Sequence, residues 1–264
     1  MKKKANLLII IFLCVFALLG CFKSITNNST SNNDTTNDIS TNENINVDFS
    51  NMVVNCLGDS LTEGLIANGS KMEKPYSTQL NTLLGCKKVN NYGMGGSMLS
   101  LTGGYSMCER YDDMENADII MVMGGTNDAL SLGWSQGWKA TLGTINDTDE
   151  STVYGSLDVI CKGLKQIYPN SFLFFITPFE LADGYEQTCL NNSGFTLDDV
   201  CLAIKIVCAR YDIPVFDAYK LCSFKEQANY DYVSGVGDGI HPRQEFIDNF
   251  SIQLTNYIKE NYKK

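Results

Sequence analysis

From Met52 onward the chain alternates short apolar runs with longer stretches of helical spacing. Met52 to Leu57, Lys87 to Tyr92, Ala117 to Met123, Phe172 to Ile176 and Pro214 to Phe216 read as strands. Glycine closes the first at Gly58 and the third at Gly124-Gly125. Pro75 to Leu84, Val153 to Tyr168, Leu197 to Tyr211 and Phe246 to Tyr262 carry helical patterns. In the second of these, Val153, Leu157, Ile160, Leu164 and Ile167 recur every three or four residues, the spacing that turns one helix face to a core. Strands that are apolar almost throughout are covered on both faces, and strands alternating with helices build βαβ units. The pattern therefore predicts an α/β fold, a three-layer α/β/α sandwich with a mostly parallel central sheet. Ligands bind beyond the carboxyl ends of such strands, and Ser60, Gly96 and Asn127 each fall just after one.

Upstream of residue 51 the pattern is different. Lys2, Lys3 and Lys4 precede an apolar run from Leu7 to Leu19, which is shorter than the roughly 20 residues that span a bilayer. A basic start followed by a short apolar stretch reads as a secretory signal over residues 1–20. Its end, Leu18-Leu19-Gly20-Cys21, resembles the bacterial lipobox, which implies lipidation of Cys21 and an exported protein held on the outer face of the membrane. Residues 21–50 are rich in Asn, Thr, Ser and Asp, with too little apolar surface to offset the entropy of ordering, and are expected to form a disordered tether. At about 5–6 Å times the square root of its length, such a tether spans roughly 30 Å. Residues 51–264 are then left as a single domain.

A formal net charge of −10 with no basic cluster in the folded region argues against nucleic acid as a partner. The ten cysteines contain no C-x-x-C, and with a single histidine the chain lacks a zinc-ligand pattern. No cofactor or metal is expected. Setting Cys14 and Cys21 aside leaves eight cysteines, several on apolar faces, which read as buried free thiols.

Four short blocks remain: Gly58-Asp59-Ser60-Leu61, Asn91 to Ser97, Gly125-Thr126-Asn127-Asp128, and Asp238-Gly239-Ile240-His241. Taken alone, the first reads as a turn with Ser60 capping the next helix, and the third as an Asx turn. Together, in this order, they resemble the SGNH (GDSL) hydrolase family over roughly residues 52 to 262. The resemblance implies the family's flavodoxin-like α/β/α fold and the chemistry of a serine esterase. Ser60 is then the nucleophile, His241 its general base, and Asp238 the residue that orients the imidazole. It also implies an oxyanion hole from the backbone N–H groups of Ser60 and Gly96 and the side-chain amide of Asn127. Gly93 and Gly95 stand close enough in the sequence to align in place of Gly96.

The expected substrate is a carboxylic ester, with O-acylated carbohydrate at the cell envelope preferred. Lipase, lysophospholipase and acyltransferase activities belong to the same resemblance. A surface binding lipoprotein without turnover is the competing class. Trp134 and Trp138, in a Gly-rich stretch beyond the third strand, are read as a substrate rim. Asp183-Gly184-Tyr185 occupies another loop that follows a strand.

Overall fold

The computed structural model describes residues 47–101, 105–131, 139–185 and 193–263. Five strands, β1 (Val53–Gly58), β2 (Lys88–Gly93), β3 (Ile119–Met123), β4 (Phe172–Ile176) and β5 (Val215–Phe216), form one sheet in the order β2-β1-β3-β4-β5. Every neighbouring pair is parallel. The fold is the expected α/β arrangement, and each predicted strand is present within two residues of its expected ends.

Strand side chains alternate between two cores, one on each face of the sheet. Leu57, Ile120, Val122, Leu173 and Phe175 face a cluster built with helices α4 (Val153–Ile167) and α5 (Leu197–Arg210). Val54, Cys56, Met121, Phe174 and Ile176 face the other cluster, built with α2 (Tyr76–Leu84) and a closing helix, Gln244–Asn261. Side chains such as Phe174 and Phe175 are essentially fully buried, and each contributes about 1.5–3 kcal/mol through the water it leaves. The two clusters on opposite faces are what make three layers.

Local chemistry sets the helix ends. Thr152 caps α4, its hydroxyl accepting from the Gly155 N–H at 3.0 Å. Thr196 and Asp199 form a reciprocal capping box at the start of α5. Phe49 lies inside the stretch whose composition reads as a tether, yet it is buried and its ring sits 5.6 Å from that of Tyr262. Cys56, Cys86, Cys108, Cys161, Cys201, Cys208 and Cys222 are all buried free thiols. Burial pushes the Cys108 thiol up to about 11 and that of Cys222 to about 12, so neither is a thiolate at neutral pH.

The helices Ala218–Leu221 and Lys225–Ser234 are among those that escape the periodicity reading. The second buries only Ala228 and Asp231, so it carries no apolar stripe to detect. Among the described residues no helix is long and apolar enough to cross a membrane. The signal at 1–20, Cys21 and most of the tether lie outside the described residues.

Candidate active site

β1 ends at Gly58 and the chain turns at once into the short helix α1 (Ser60–Glu63). The turn needs glycine, since a Cβ at Gly58 would lie 2.0 Å from Thr62 Oγ1 and 2.6 Å from the Met123 carbonyl. The helix cap is Asp59 rather than Ser60: Asp59 Oδ1 accepts from the Leu61 N–H at 2.9 Å. Ser60 is therefore released from capping and sits at the first helical position, where its own N–H has no acceptor within the helix. It is 9% exposed, at the carboxyl end of β1.

The second half of the site comes from a loop 181 residues away. His241 Nε2 lies 2.8 Å from Ser60 Oγ, and His241 Nδ1 lies 2.7 Å from Asp238 Oδ2. Asp238 Oδ1 also accepts from the backbone N–H groups of Ile240 at 2.9 Å and His241 at 2.8 Å. The Asp-x-x-His spacing works because the loop folds back on its own carboxylate. The loop is anchored from outside as well, by the Ala182 N–H on the Gly239 carbonyl at 3.0 Å. Tyr185 packs against Gly239 from the same side. Burial by itself would raise the Asp238 pKa, but the hydrogen bonds from the His241 ring, its N–H and that of Ile240 outweigh it. They hold the carboxyl below its ordinary value. An ionised Asp238 can only accept, so the proton between them resides on Nδ1 and Nε2 is left to accept from the serine hydroxyl.

Gly93, Gly95 and Gly96 are separated by where their N–H groups go. The Gly93 N–H donates to Asn91 Oδ1 at 2.8 Å and the Gly95 N–H to Glu63 Oε2 at 2.7 Å. No described residue accepts from the Gly96 N–H, and Gly96 has φ +74°, a conformation that favours glycine. The loop stands beside the serine, since a Cβ on Gly95 would be 3.8 Å from Ser60 Cβ. Asn127, on α3 (Thr126–Leu130) and 8% exposed, donates from Nδ2 to the Ser97 carbonyl at 2.9 Å. An amide nitrogen carries two hydrogens, so that bond leaves one more. Ser60, Gly96 and Asn127 are thus gathered around one loop at the carboxyl ends of β1, β2 and β3.

Three residues that the sequence reading did not assign hold this loop in place. Glu63 takes the Gly95 N–H and stands 3.6 Å from Lys71. Arg110 donates to the Tyr92 carbonyl at 2.9 Å, the Tyr105 carbonyl at 3.1 Å, the Gly58 carbonyl at 3.3 Å and Ser97 Oγ at 2.9 Å. One guanidinium thereby ties the ends of β1 and β2 to the loop. Asp128, fully buried, accepts from the N–H groups of Leu99 at 2.8 Å and Ser100 at 3.0 Å and from Ser100 Oγ at 2.6 Å. Asp128 follows Asn127 directly, which was the one available signal. Nothing local marks Glu63 or Arg110, because Glu63 reaches Gly95 across 32 residues and Arg110 reaches Gly58 across 52.

Among the described residues no group of three or more His, Cys, Asp or Glu side chains is arranged to hold a metal ion. Trp134 and Trp138 lie outside the described residues. Asp183 is turned to Asn229 and Lys225, at 3.0 and 3.1 Å.

Residues 56–245 match the GDSL-like lipase/acylhydrolase family. No curated protein matches the chain. Solved structures of similar fold include a protein from Lactobacillus plantarum, 24% identical, with a TM-score of 0.67 over 82% of this chain and 100% of that one. A carbohydrate acetylesterase family member from Sinorhizobium meliloti is 16% identical, with a TM-score of 0.58 over 79% of this chain and 98% of its own. The aryl esterase of M. smegmatis, also 16% identical, gives a TM-score of 0.55 over 80% of this chain and 100% of its own.

Proposed function

This chain belongs to the GDSL-like lipase/acylhydrolase family and is a hydrolase acting on ester bonds, and from that premise we propose that it works through an acyl-Ser60 intermediate on O-acylated carbohydrate at the cell envelope. The observation that carries the serine mechanism is the unbroken chain Asp238–His241–Ser60, with links of 2.7 and 2.8 Å. In acylation, Ser60 Oγ bonds to the ester carbonyl carbon while His241 Nε2 takes its proton. The carbonyl oxygen becomes an oxyanion facing the N–H groups of Ser60 and Gly96 and the amide of Asn127. Collapse breaks the bond to the alcohol oxygen, and His241 returns the proton to it. Water then attacks the acyl carbon, again giving its proton to His241, and the acid leaves as Ser60 is restored. Asp238 stays ionised throughout, fixing the tautomer and stabilising the imidazolium.

The carbohydrate preference draws support from the acidic chain and from a similarly folded carbohydrate acetylesterase family member. The envelope location draws support from the lysine-flanked apolar run that ends at Cys21. The test is release of acid from acetyl and longer acyl esters by protein starting near Asp48, beside Ser60→Ala, with organophosphorus labelling of both. Turnover and labelling should be present in the first and lost in the second. Unlabelled wild-type protein with no turnover on any ester would refute the serine mechanism.

A further inference from the structure

His241 approaches Ser60 from a loop, and one residue outside that loop holds both of its ends. The segment from Gly235 to Arg243 joins the helix Lys225–Ser234 to the closing helix and carries both Asp238 and His241. Asp231 lies in the last turn of the first helix. Its carbonyl accepts from the N–H groups of Val236 and Gly237, each at 3.1 Å, which fixes where the loop begins. Its carboxylate reaches where the loop ends: Oδ2 accepts from Arg243 Nε at 3.1 Å and from Gln227 Nε2 at 3.2 Å. The approach is close, since a Cβ on Gly237 would stand 2.9 Å from Asp231 Cβ. Arg243 caps the closing helix and follows His241 by two positions, with Pro242 between them. The proline ring fixes its own φ, so a displacement of Arg243 is passed along the chain to His241 with little slack.

What this pair supplies is geometry more than stability. Asp231 is 3% exposed and its Oδ1 is buried with no hydrogen bond from any described residue, whereas the Arg243 side chain is 54% exposed. A carboxylate so placed has lost hydration that one guanidinium and one amide return only in part. Apolar side chains in place of a buried ion pair are often neutral or stabilising. Apolar contact, however, is not directional, while a charge-assisted hydrogen bond holds two points of chain at a set distance and angle. The triad needs that precision, because its links of 2.7 and 2.8 Å weaken steeply as they lengthen or bend. The Ala182 N–H on the Gly239 carbonyl and the N–H groups donating to Asp238 fix the middle of the loop. Asp231 closes its ends.

Resting on the serine-esterase reading above, we propose that Asp231 and Arg243 are positioning residues of the reaction, and that their ion pair sets where the loop presents His241 Nε2 to Ser60. Neither touches the triad side chains in the hydrogen bonds described, so both act through the loop. The pair therefore serves the proton transfers and not the binding of substrate, and its loss should appear in kcat with KM unchanged.

The test follows phenyl acetate hydrolysis and the nitrogen resonances of the His241 ring in wild type, Arg243→Ala, Arg243→Lys and Ser60→Ala. His241 is the only histidine in the chain, so in untagged protein its ring signals need no assignment. Ser60→Ala gives the Nε2 resonance without the serine hydrogen bond. Arg243→Ala should lower kcat about 10-fold or more with KM within about 2-fold, the loss typical of a hydrogen bond to a charged group. Its Nε2 resonance should move toward that of Ser60→Ala. Arg243→Lys should recover part of both. Asp231→Asn keeps an oxygen for Arg243 and removes the charge, so it should show the same kcat loss in smaller measure and serves where Arg243→Ala does not fold. Wild-type kcat in the folded variants, a loss carried by KM, or an Nε2 resonance that stays in place would overturn the assignment. Organophosphorus labelling separates the two levels. A labelled wild type whose kcat and ring signals ignore the pair overturns the positioning role alone, and a wild type with neither labelling nor turnover overturns the esterase mechanism beneath it.

Discussion

Replacing Asp59 by asparagine should change how stability depends on pH. Asp59 is 1% exposed, with Oδ1 capping α1 and Oδ2 without a hydrogen bond from any described residue. Burial is the largest influence and raises its pKa; the Leu61 N–H and the nearby His241 oppose it, and buried Asp128 adds to it. The result is a carboxyl moved from 3.8 to about 7. Between those values the native protein keeps a proton that the unfolded chain has released. Stability therefore falls as pH rises through that window. At about 1.4 kcal/mol for each pH unit, the loss across the window from 3.8 to about 7 is on the order of 4 kcal/mol. Asp59→Asn preserves the acceptor for Leu61 and removes the titration. Urea unfolding from pH 4 to pH 8 measures both proteins. The wild type should lose stability relative to the variant as pH rises, with most of the divergence complete near pH 7. Parallel profiles would refute a buried, proton-holding Asp59, and a wild type that gains on the variant with rising pH would reverse the sign.

Two other expectations concern the oxyanion loop. Asn127→Ala should lower kcat by about 10²–10³-fold, the usual cost of one oxyanion donor, and a change confined to KM would remove Asn127 from that role. Arg110→Ala releases the carbonyls of Gly58, Tyr92 and Tyr105 together with Ser97 Oγ. It should cost roughly 1–3 kcal/mol in urea unfolding, as for other groups left without a partner, and should lower kcat as well. Arg110→Lys should recover part of both, and a folded Ala variant with wild-type kcat would show that the loop keeps its shape without the guanidinium.

Much of this molecule could be read from local pattern. A buried strand and the helix that covers it are written in hydrophobic period, so β1, β3, β4, α4 and α5 were legible to within a few residues. The site blocks were legible for a different reason. Taken singly they read as turns and a helix cap, and it is their order along the chain, resembling the SGNH (GDSL) family, that marked them as a site. The helix Lys225–Ser234 was not legible, because a helix lying on the surface with two buried positions has no periodic signature.

What the tertiary structure alone decided was convergence. Ser60 and His241 are 181 residues apart, and only the folded chain brings the loop before the closing helix to the end of β1. Glu63 takes the Gly95 N–H across 32 residues, a bond only the fold can make, whereas Asn91 takes that of Gly93 locally. The span of Arg110 across β1, β2 and the loop could not be foreseen from the charge alone. Periodicity and turn chemistry act between near neighbours and are recorded residue by residue in the sequence. Hydrogen bonds between distant segments exist only after the core has packed, and it is the packing of these two cores against the sheet that assembles the site.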